Sequence, residues 1–262
     1  MTGIEVRSGG LWLHAGARTD IGPRYPANFD VLHVEAPTGS AAALCVVVAD
    51  GMGAGEGSAV AGRTAVDTFA GAIRERARSI DPTALRCAVA QAQRRVRAAG
   101  QRLAALTGCT LTALVIEGST GWIVQVGDSR AYRLRDGLLE LLTVDHSMAW
   151  LGAIYGWYTA DSQEAATARY HLTRYVGHPA MPEPDVLNVA LRPGDVFCLC
   201  TDGAAETVPY ARLARTLESG AAPGDMAERL LADALATGGR DNATVAVVTV
   251  GALEEQGAPV VT

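Results

Sequence analysis

Short apolar runs and longer amphipathic stretches alternate along this chain. Residues 44–49, 196–201 and 243–250 are almost continuously apolar and contain β-branched side chains, which is typical of strands covered on both faces. Apolar residues at helical spacing predict two long helices, over residues 58–78 and 83–106. Ser58 is the predicted N-cap of the first helix, because a serine hydroxyl can accept from the free backbone N–H groups there.

The remaining strands are predicted as hairpins. Residues 110–117 and 122–126 flank a tight turn, and residues 131–135 and 138–142 flank an Asp-Gly turn. Because the strands come mostly as hairpins and the long helices as a block, the order favours antiparallel sheets over alternating βαβ units. The pattern therefore predicts an α+β fold: a central antiparallel β-sandwich flanked by helices.

Length, charge and hydropathy limit the classes of protein to which the chain can belong. The 262 residues, 49% of them hydrophobic, suit one domain spanning 1–262, with a partly helical, aromatic insertion at about residues 148–184. A formal net charge of −6 argues against a nucleic-acid binder. Since no leader pattern and no apolar run of ~18 residues is present, we expect a soluble, cytoplasmic protein that does not enter membranes, and a monomer.

Five aspartates stand at or near the ends of predicted strands, most of them beside glycine. They are Asp30, Asp50, Asp128, Asp202 and Asp241. Any one of them is commonly a turn residue. Converging carboxylates, however, repel one another unless they share protons or hold cations. Hard divalent cations such as Mg²⁺ or Mn²⁺ prefer carboxylate oxygens, so the sequence favours a metal site.

With these residues the chain resembles the bacterial branch of the metal-dependent serine/threonine protein phosphatases, known as the type 2C or PPM family. Seven short motifs carry the resemblance, in the family's order, over roughly residues 19–250. They are Asp20-Ile21-Gly22 with Asn28-Phe29-Asp30, Asp50-Gly51-Met52-Gly53, Gly108-Cys109-Thr110-Leu111, Gly127-Asp128-Ser129-Arg130, Asp145-His146-Ser147, Thr201-Asp202-Gly203 and Gly239-Arg240-Asp241-Asn242. Each motif is weak alone, whereas all of them in order make a specific match.

The resemblance implies a β-sandwich with paired helices on both sides and a binuclear Mn²⁺ or Mg²⁺ centre at one end. Such a centre activates a bridging water that hydrolyses phosphoserine or phosphothreonine on proteins. Carried over to this chain, Asp50 would bridge both metals and the Gly51 carbonyl would complete one site. Asp202 and Asp241 would hold the other site, with Asp30 acting through water.

Further positions follow from the same resemblance. Asp128, together with Glu206, which stands a short step beyond Asp202 in the sequence, would match a weaker third-metal position. Eukaryotic relatives carry a presumed general-acid histidine where this chain has Met52, so the leaving group would take its proton from metal-bound water. His146 is interpreted as a turn residue. The implied substrate is a phosphorylated protein, the target of a serine/threonine kinase.

Two departures from the family concern, in turn, the binding of the substrate phosphate and the binding of a metal-bound water. Tyr25 stands where the family usually has a phosphate-binding arginine, with Arg24 one place earlier, and Phe29 replaces a polar residue. Arg24 would have to take over the phosphate contact. The alternative is a catalytically weak relative that binds a phosphoprotein or regulator without efficient turnover. The insertion at 148–184 corresponds to the family's variable flap, either as a substrate-recognition surface or as a small satellite core.

Overall fold

The computed structural model describes residues 3–36, 44–76, 79–159, 161–239 and 241–253. Within these residues, two antiparallel sheets form the centre of the molecule. The strands of the first sheet, in spatial order, are β1 (Gly3–Ser8), β2 (Leu11–Asp20), β11 (Ala243–Ala252), β10 (Val196–Cys200), β7 (Arg130–Arg135) and β8 (Leu138–Leu141). Those of the second are β3 (Asp30–Glu35), β4 (Leu44–Asp50), β5 (Leu111–Glu117), β6 (Thr120–Val126) and β9 (Asp185–Ala190).

Helices cover the outer face of each sheet. The second sheet carries α1 (Glu56–Arg74) and α2 (Pro82–Leu103), and the first carries α5 (Asp202–Ala205), α6 (Tyr210–Leu217) and α7 (Pro223–Ala236). The insertion contains α3 (Met148–Ile154) and α4 (Gln163–Ala168). None of the helices in the described ranges combines the length and the apolar character needed to cross a lipid bilayer. The predicted α+β sandwich flanked by helices is confirmed.

Apolar layers between the two sheets and beneath the helices explain why the strands are continuously hydrophobic. On β4, Val46 and Val48 pack between the two sheets with Phe197 of β10. The alternate residue Val47 faces the helices and packs in the same cluster as Phe69 of α1. Because successive side chains of a strand point to opposite faces, a strand buried on both sides must be apolar at every position.

The long helices begin and end near their predicted bounds, with one wrong cap. Asp81 caps α2, its Oδ1 accepting from the Ala84 N–H at 2.7 Å. In α1, Gly55 and not Ser58 is the N-cap, because the Ser58 hydroxyl donates to the Met52 carbonyl at 2.6 Å. The helix ends at Arg74. The last predicted helical residues, 77 and 78, lie outside the described residues.

Candidate metal centre

Strand pairing brings four of the predicted aspartates to one end of the sandwich. Asp30 opens β3 and Asp50 closes β4, and the antiparallel register places them directly opposite each other. Asp202 follows β10 and Asp241 precedes β11, and these two strands are neighbours in the other sheet. The two sheets therefore each contribute two carboxylates to the same end, and all four aspartates interact electrostatically.

Two threonine hydroxyls from the opposite sheet fix the Asp30 carboxylate. Thr201 and Thr244 each donate to Asp30 Oδ2 at 2.7 Å. Asp30 Oδ1 is buried without a hydrogen-bond partner, and so is Asp202 Oδ1. Unpartnered buried carboxylate oxygens are costly, so each needs a cation, a proton or a water molecule.

The position of Asp50 is set by its backbone. The Asp50 N–H donates to Thr110 Oγ1 at 2.9 Å, and the Asp50 carbonyl accepts from the Thr110 N–H at 2.8 Å. The next residue, Gly51, has no room for a side chain, because a Cβ there would lie 2.6 Å from the Ser58 carbonyl oxygen. This close packing against the start of α1 fixes the backbone that would present the Gly51 carbonyl.

The carboxylates of this end hold their protons more tightly than ordinary aspartates. Burial, more than the charges of Asp202 and Asp241, raises the pKa of Asp30 from 3.8 to about 7. Burial and the charge of Asp202 raise the pKa of Asp241 to about 6, and the same two causes raise the pKa of Asp50 well above its usual range. Such a cluster requires positive charge to ionise fully near neutral pH.

These residues fit hard divalent cations. The donors are carboxylate oxygens with a backbone carbonyl nearby, and two of the carboxylate oxygens are buried and unpartnered. Within the described residues, no group of three or more Asp, Glu, His and Cys side chains is already arranged as a metal cage. Asp50 and Asp202 are instead close enough to influence each other's protonation, and burial is the main cause that raises the pKa of both.

Asp128 and Glu206 extend this acidic region. Asp128 lies in the turn between β6 and β7, and burial followed by the charges of Asp202, Asp145 and Glu206 raises its pKa. Burial also raises the pKa of Glu206, whose Oε2 lies 3.3 Å from Arg169 Nη1. The predicted third-metal residues are thus neighbours, but Glu206 has a guanidinium partner that sequence reasoning missed.

His146 supports the turn that carries Asp128. It is buried, its Nδ1 accepts from the Gly127 N–H at 3.1 Å, and its Nε2 lies 2.9 Å from Asp185 Oδ2. Since Nδ1 is an acceptor, the ring proton is assigned to Nε2, where it can be donated to Asp185. These contacts agree with the interpretation of His146 as a structural residue.

Two adjoining clefts open at the aspartates, and both are lined by Asp202, Asp241 and Tyr170. One, of about 250 Å³, also contains Asp50, Gly51, Met52 and Asp128. The other, of about 270 Å³, contains Arg24, Arg169 and Glu206. The structure therefore brings Arg24 to the same cleft as Asp202 and Asp241.

The two departures from the family pattern form one aromatic contact. The rings of Tyr25 and Phe29 meet edge to face, with their centroids 6.2 Å apart. Both residues line the cleft that contains Asp50. Burial and the nearby carboxylates raise the pKa of Tyr25. An apolar wall therefore stands where the resemblance predicts polar groups.

The insertion at 148–184 reaches the same clefts. Tyr170 and Leu172 line the cleft that contains Asp50, and Val176 forms a backbone bridge with Cys109 beside Gly51. Tyr170 was visible in the sequence as one of several aromatic residues, but nothing in the pattern singled out Arg169. Thr244 was also missed, because a threonine inside a buried strand carries no motif.

Known proteins match both the sequence and the fold. The family model described as protein phosphatase 2C matches residues 28–237. Serine/threonine phosphatase stp of Listeria monocytogenes is 30% identical over 210 residues, covering 78% of this chain and 83% of that protein. The structure of the S. agalactiae serine/threonine phosphatase has a TM-score of 0.82 at 27% identity, covering 90% of this chain and 99% of that one.

A second solved structure resembles the chain to a similar degree. The catalytic domain of serine threonine protein phosphatase PstP, in complex with two manganese ions, has a TM-score of 0.80 at 30% identity. The match covers 92% of this chain and 99% of that domain. The sandwich, the acidic end and these matches agree, and the chain belongs to the protein phosphatase 2C family.

Proposed function

We propose that this protein is a metal-dependent phosphatase that hydrolyses phosphoserine and phosphothreonine on proteins. The observation that carries the proposal is the cluster of four aspartates from two sheets, with raised pKa values and two unpartnered buried oxygens. The similarity to serine/threonine phosphatases, one of them solved with two manganese ions, supports the same reading.

The residues that would hold two Mn²⁺ or Mg²⁺ ions are those at the aspartate end. Asp50 would contribute to both metal sites, the Gly51 carbonyl to the first, Asp202 and Asp241 to the second, and Asp30 through water. Asp128 and Glu206 would serve a third, weaker position. When bound, the cations supply an activated water near neutral pH and neutralise the phosphoryl oxygens.

The protein's own side chains would orient the water molecule and bind the phosphoryl group. With Oδ2 held by Thr201 and Thr244, Asp30 retains Oδ1 as an acceptor for a water proton. Arg24, from the cleft that contains Asp202 and Asp241, would bind the phosphoryl group. Ser129 is no nucleophile, because it is buried and its hydroxyl is hydrogen-bonded to Thr110 at 2.7 Å.

The wider setting belongs to the same proposal. Residues 1–262 act as one catalytic domain with residues 148–184 as its flap. The substrates are proteins phosphorylated by a serine/threonine kinase, and neither nucleic acid nor membrane takes part, in keeping with a net charge of −6. The protein works as a cytoplasmic monomer. The alternative, a weak phosphoprotein binder, is not favoured, because all four aspartates are present and meet.

The test is Mn²⁺-dependent hydrolysis of p-nitrophenyl phosphate and of a phosphothreonine peptide. Wild type should be active with Mn²⁺ and inactive with chelator, and Asp202→Ala should lose activity. Asp233→Ala is the matched control, since this aspartate pairs with Arg212 at 2.7 Å on α6 and α7, away from both clefts. Wild-type hydrolysis that is absent, or indifferent to chelator and to Asp202, contradicts the proposal.

A further inference from the structure

We propose that Arg169, from the insertion, is a second phosphate-binding residue that shares the substrate phosphate with Arg24. The inference rests on the proposed function and adds a substrate contact to it. Both arginines line the cleft of about 270 Å³ that also contains Asp202 and Asp241. A phosphate held at these aspartates would therefore lie in the cleft that both guanidinium groups line.

Three contacts orient the Arg169 side chain. Its Nε donates to the Ala166 carbonyl at 3.1 Å, its Nη1 lies 3.3 Å from Glu206 Oε2, and its Cζ lies 5.2 Å from the centre of the Tyr170 ring. Backbone, carboxylate and ring together limit the freedom of a side chain that is still 40% exposed. An ordered guanidinium loses less entropy when it binds an anion.

Arg24 is arranged in the same way. Its Cζ lies 5.1 Å from the ring of Tyr25, the residue that follows it, just as Arg169 stacks on Tyr170. Each guanidinium thus lies over an aromatic ring, a position in which its N–H groups can still donate to a phosphate. Two such groups would compensate for the arginine that the family has where this chain has Tyr25.

Glu206 is a partner that a phosphate can displace. The ion pair consists of one N···O contact of 3.3 Å between groups that are both partly exposed. A phosphate dianion offers more charge and more acceptor oxygens than one carboxylate oxygen at that distance. Arg130, in contrast, is engaged by both oxygens of Asp145, at 2.6 to 3.2 Å, and is held in place.

Inorganic phosphate and the phosphothreonine peptide are the probes for the Mn²⁺-loaded enzyme. Arg169→Ala should raise the Ki of phosphate and the KM of the peptide about tenfold, the loss expected for one charge-assisted contact, with a smaller change in kcat. Arg169→Lys should recover part of the affinity, because it restores the charge without the planar fork. Arg212→Ala is the control, since this arginine pairs with Asp233 on the neighbouring helix and lines neither cleft.

Calorimetry of phosphate and of Mn²⁺ binding separates the possible failures, because it needs no turnover. Weaker phosphate binding in Arg169→Ala with unchanged Mn²⁺ affinity supports the inference. Phosphate affinity within twofold of wild type overturns it, as does a change confined to Mn²⁺ affinity, which would make Arg169 only a counter-ion for Glu206. Arg169→Gln keeps the size of the side chain and replaces the alanine variant if that one does not fold. A wild type that binds phosphate but hydrolyses nothing refutes the proposed function alone.

Discussion

The aspartate end of the sandwich and the insertion at residues 148–184 line the same clefts but differ in construction. The aspartate end is fixed by strands: Asp50 is bonded through both its N–H and its carbonyl to Thr110. In the described part of the insertion there are two short helices, and its stacked residues Tyr155 and Trp157 are 67% and 58% exposed. One region is acidic and held by paired strands, and the other is irregular and aromatic.

The two regions suit different functions, namely metal chemistry and contact with protein substrates. Metal chemistry requires carboxylates held within a fraction of an ångström, which buried strands provide. Contact with varied protein substrates requires side chains on segments that adapt, which loops provide. We therefore expect changes at the aspartate end to alter catalysis and metal binding, and changes in the insertion to alter substrate affinity with little effect on the fold.

The largest effect is expected for Asp50→Asn. Removing the carboxylate that we propose serves both ions should lower kcat/KM for p-nitrophenyl phosphate by roughly 1000-fold, since metal catalysis supplies several kcal/mol. In chelator the same variant should unfold at a temperature no lower than wild type, because the amide is neutral and leaves one fewer ionisable group in the buried cluster. Assays with Mn²⁺ and thermal melts in chelator check both, with Asp233→Asn as control. Retention of a tenth of the activity would contradict the assignment.

The next effect is the pH dependence of the metal-free protein. The folded pKa of Asp30, about 7, lies above its ordinary 3.8, so between these values the folded state binds more protons than the unfolded state. The contribution of Asp30 to stability is therefore complete below pH 3.8 and is lost as the pH rises to about 7.

The expected slope for this one group is at most about 1.4 kcal/mol per pH unit. Urea unfolding in chelator at several pH values measures it, and the difference between wild type and Asp30→Asn isolates the single carboxylate. A difference that does not change over this range contradicts the raised pKa. Mn²⁺ should reduce the pH dependence, because the cation replaces the protons.

A smaller effect is expected for Thr244→Val, which keeps the side-chain shape and removes one hydroxyl donor from Asp30. Partners that orient a metal ligand contribute about 10–100-fold to metal affinity or activity, so Mn²⁺ titration and kcat should change within that range. Thr249→Val on the same strand is the matched control, since its hydroxyl contacts only the His14 carbonyl at 3.5 Å in the described structure. Equal behaviour of both variants would show that Asp30 does not depend on Thr244.

The smallest effect is expected in the insertion. Trp157→Ala should change the free energy of unfolding by less than about 1 kcal/mol, because the ring is largely exposed. Phe197→Ala, in the layer between the sheets, should cost about 3–5 kcal/mol in the same urea experiment. Similar losses for both would mean that the insertion has a core of its own, and the two regions would no longer differ in kind.

Sequence and structure agree best where one physical rule acts alone. The apolar run at 44–49 must be a doubly buried strand, and the aspartate that ends it must lie at the sheet edge, so Asp50 was predictable. Strand β1 and helix α6 were not predicted: β1 is a short edge strand with only Val6 buried, and α6 has eight residues without a side-chain cap. Strand β1 is positioned by its antiparallel pairing with β2, and α6 by an apolar cluster that it shares with β7.

Within the site, residues that belong to local motifs could be predicted from the sequence, and residues that act through tertiary contacts could not. The aspartates and Gly51 are carried by local motifs, whereas Thr244 and Arg169 act on residues that are distant in sequence. Thr244 reaches Asp30 only because β11 and β3 lie in facing sheets, and Arg169 reaches Glu206 only through the fold of the insertion. Contacts that depend on tertiary structure leave no periodic signal in one sequence.

The two buried carboxylate oxygens without partners, Asp30 Oδ1 and Asp202 Oδ1, also bear on the lifetime of the protein in a cell. Cations that bind only the folded state shift the folding equilibrium in proportion to the logarithm of their free concentration. Copies made while manganese or magnesium is scarce should therefore open more often and be degraded sooner by cellular proteases. We expect the amount of this protein, and not only its activity, to follow the metal supply.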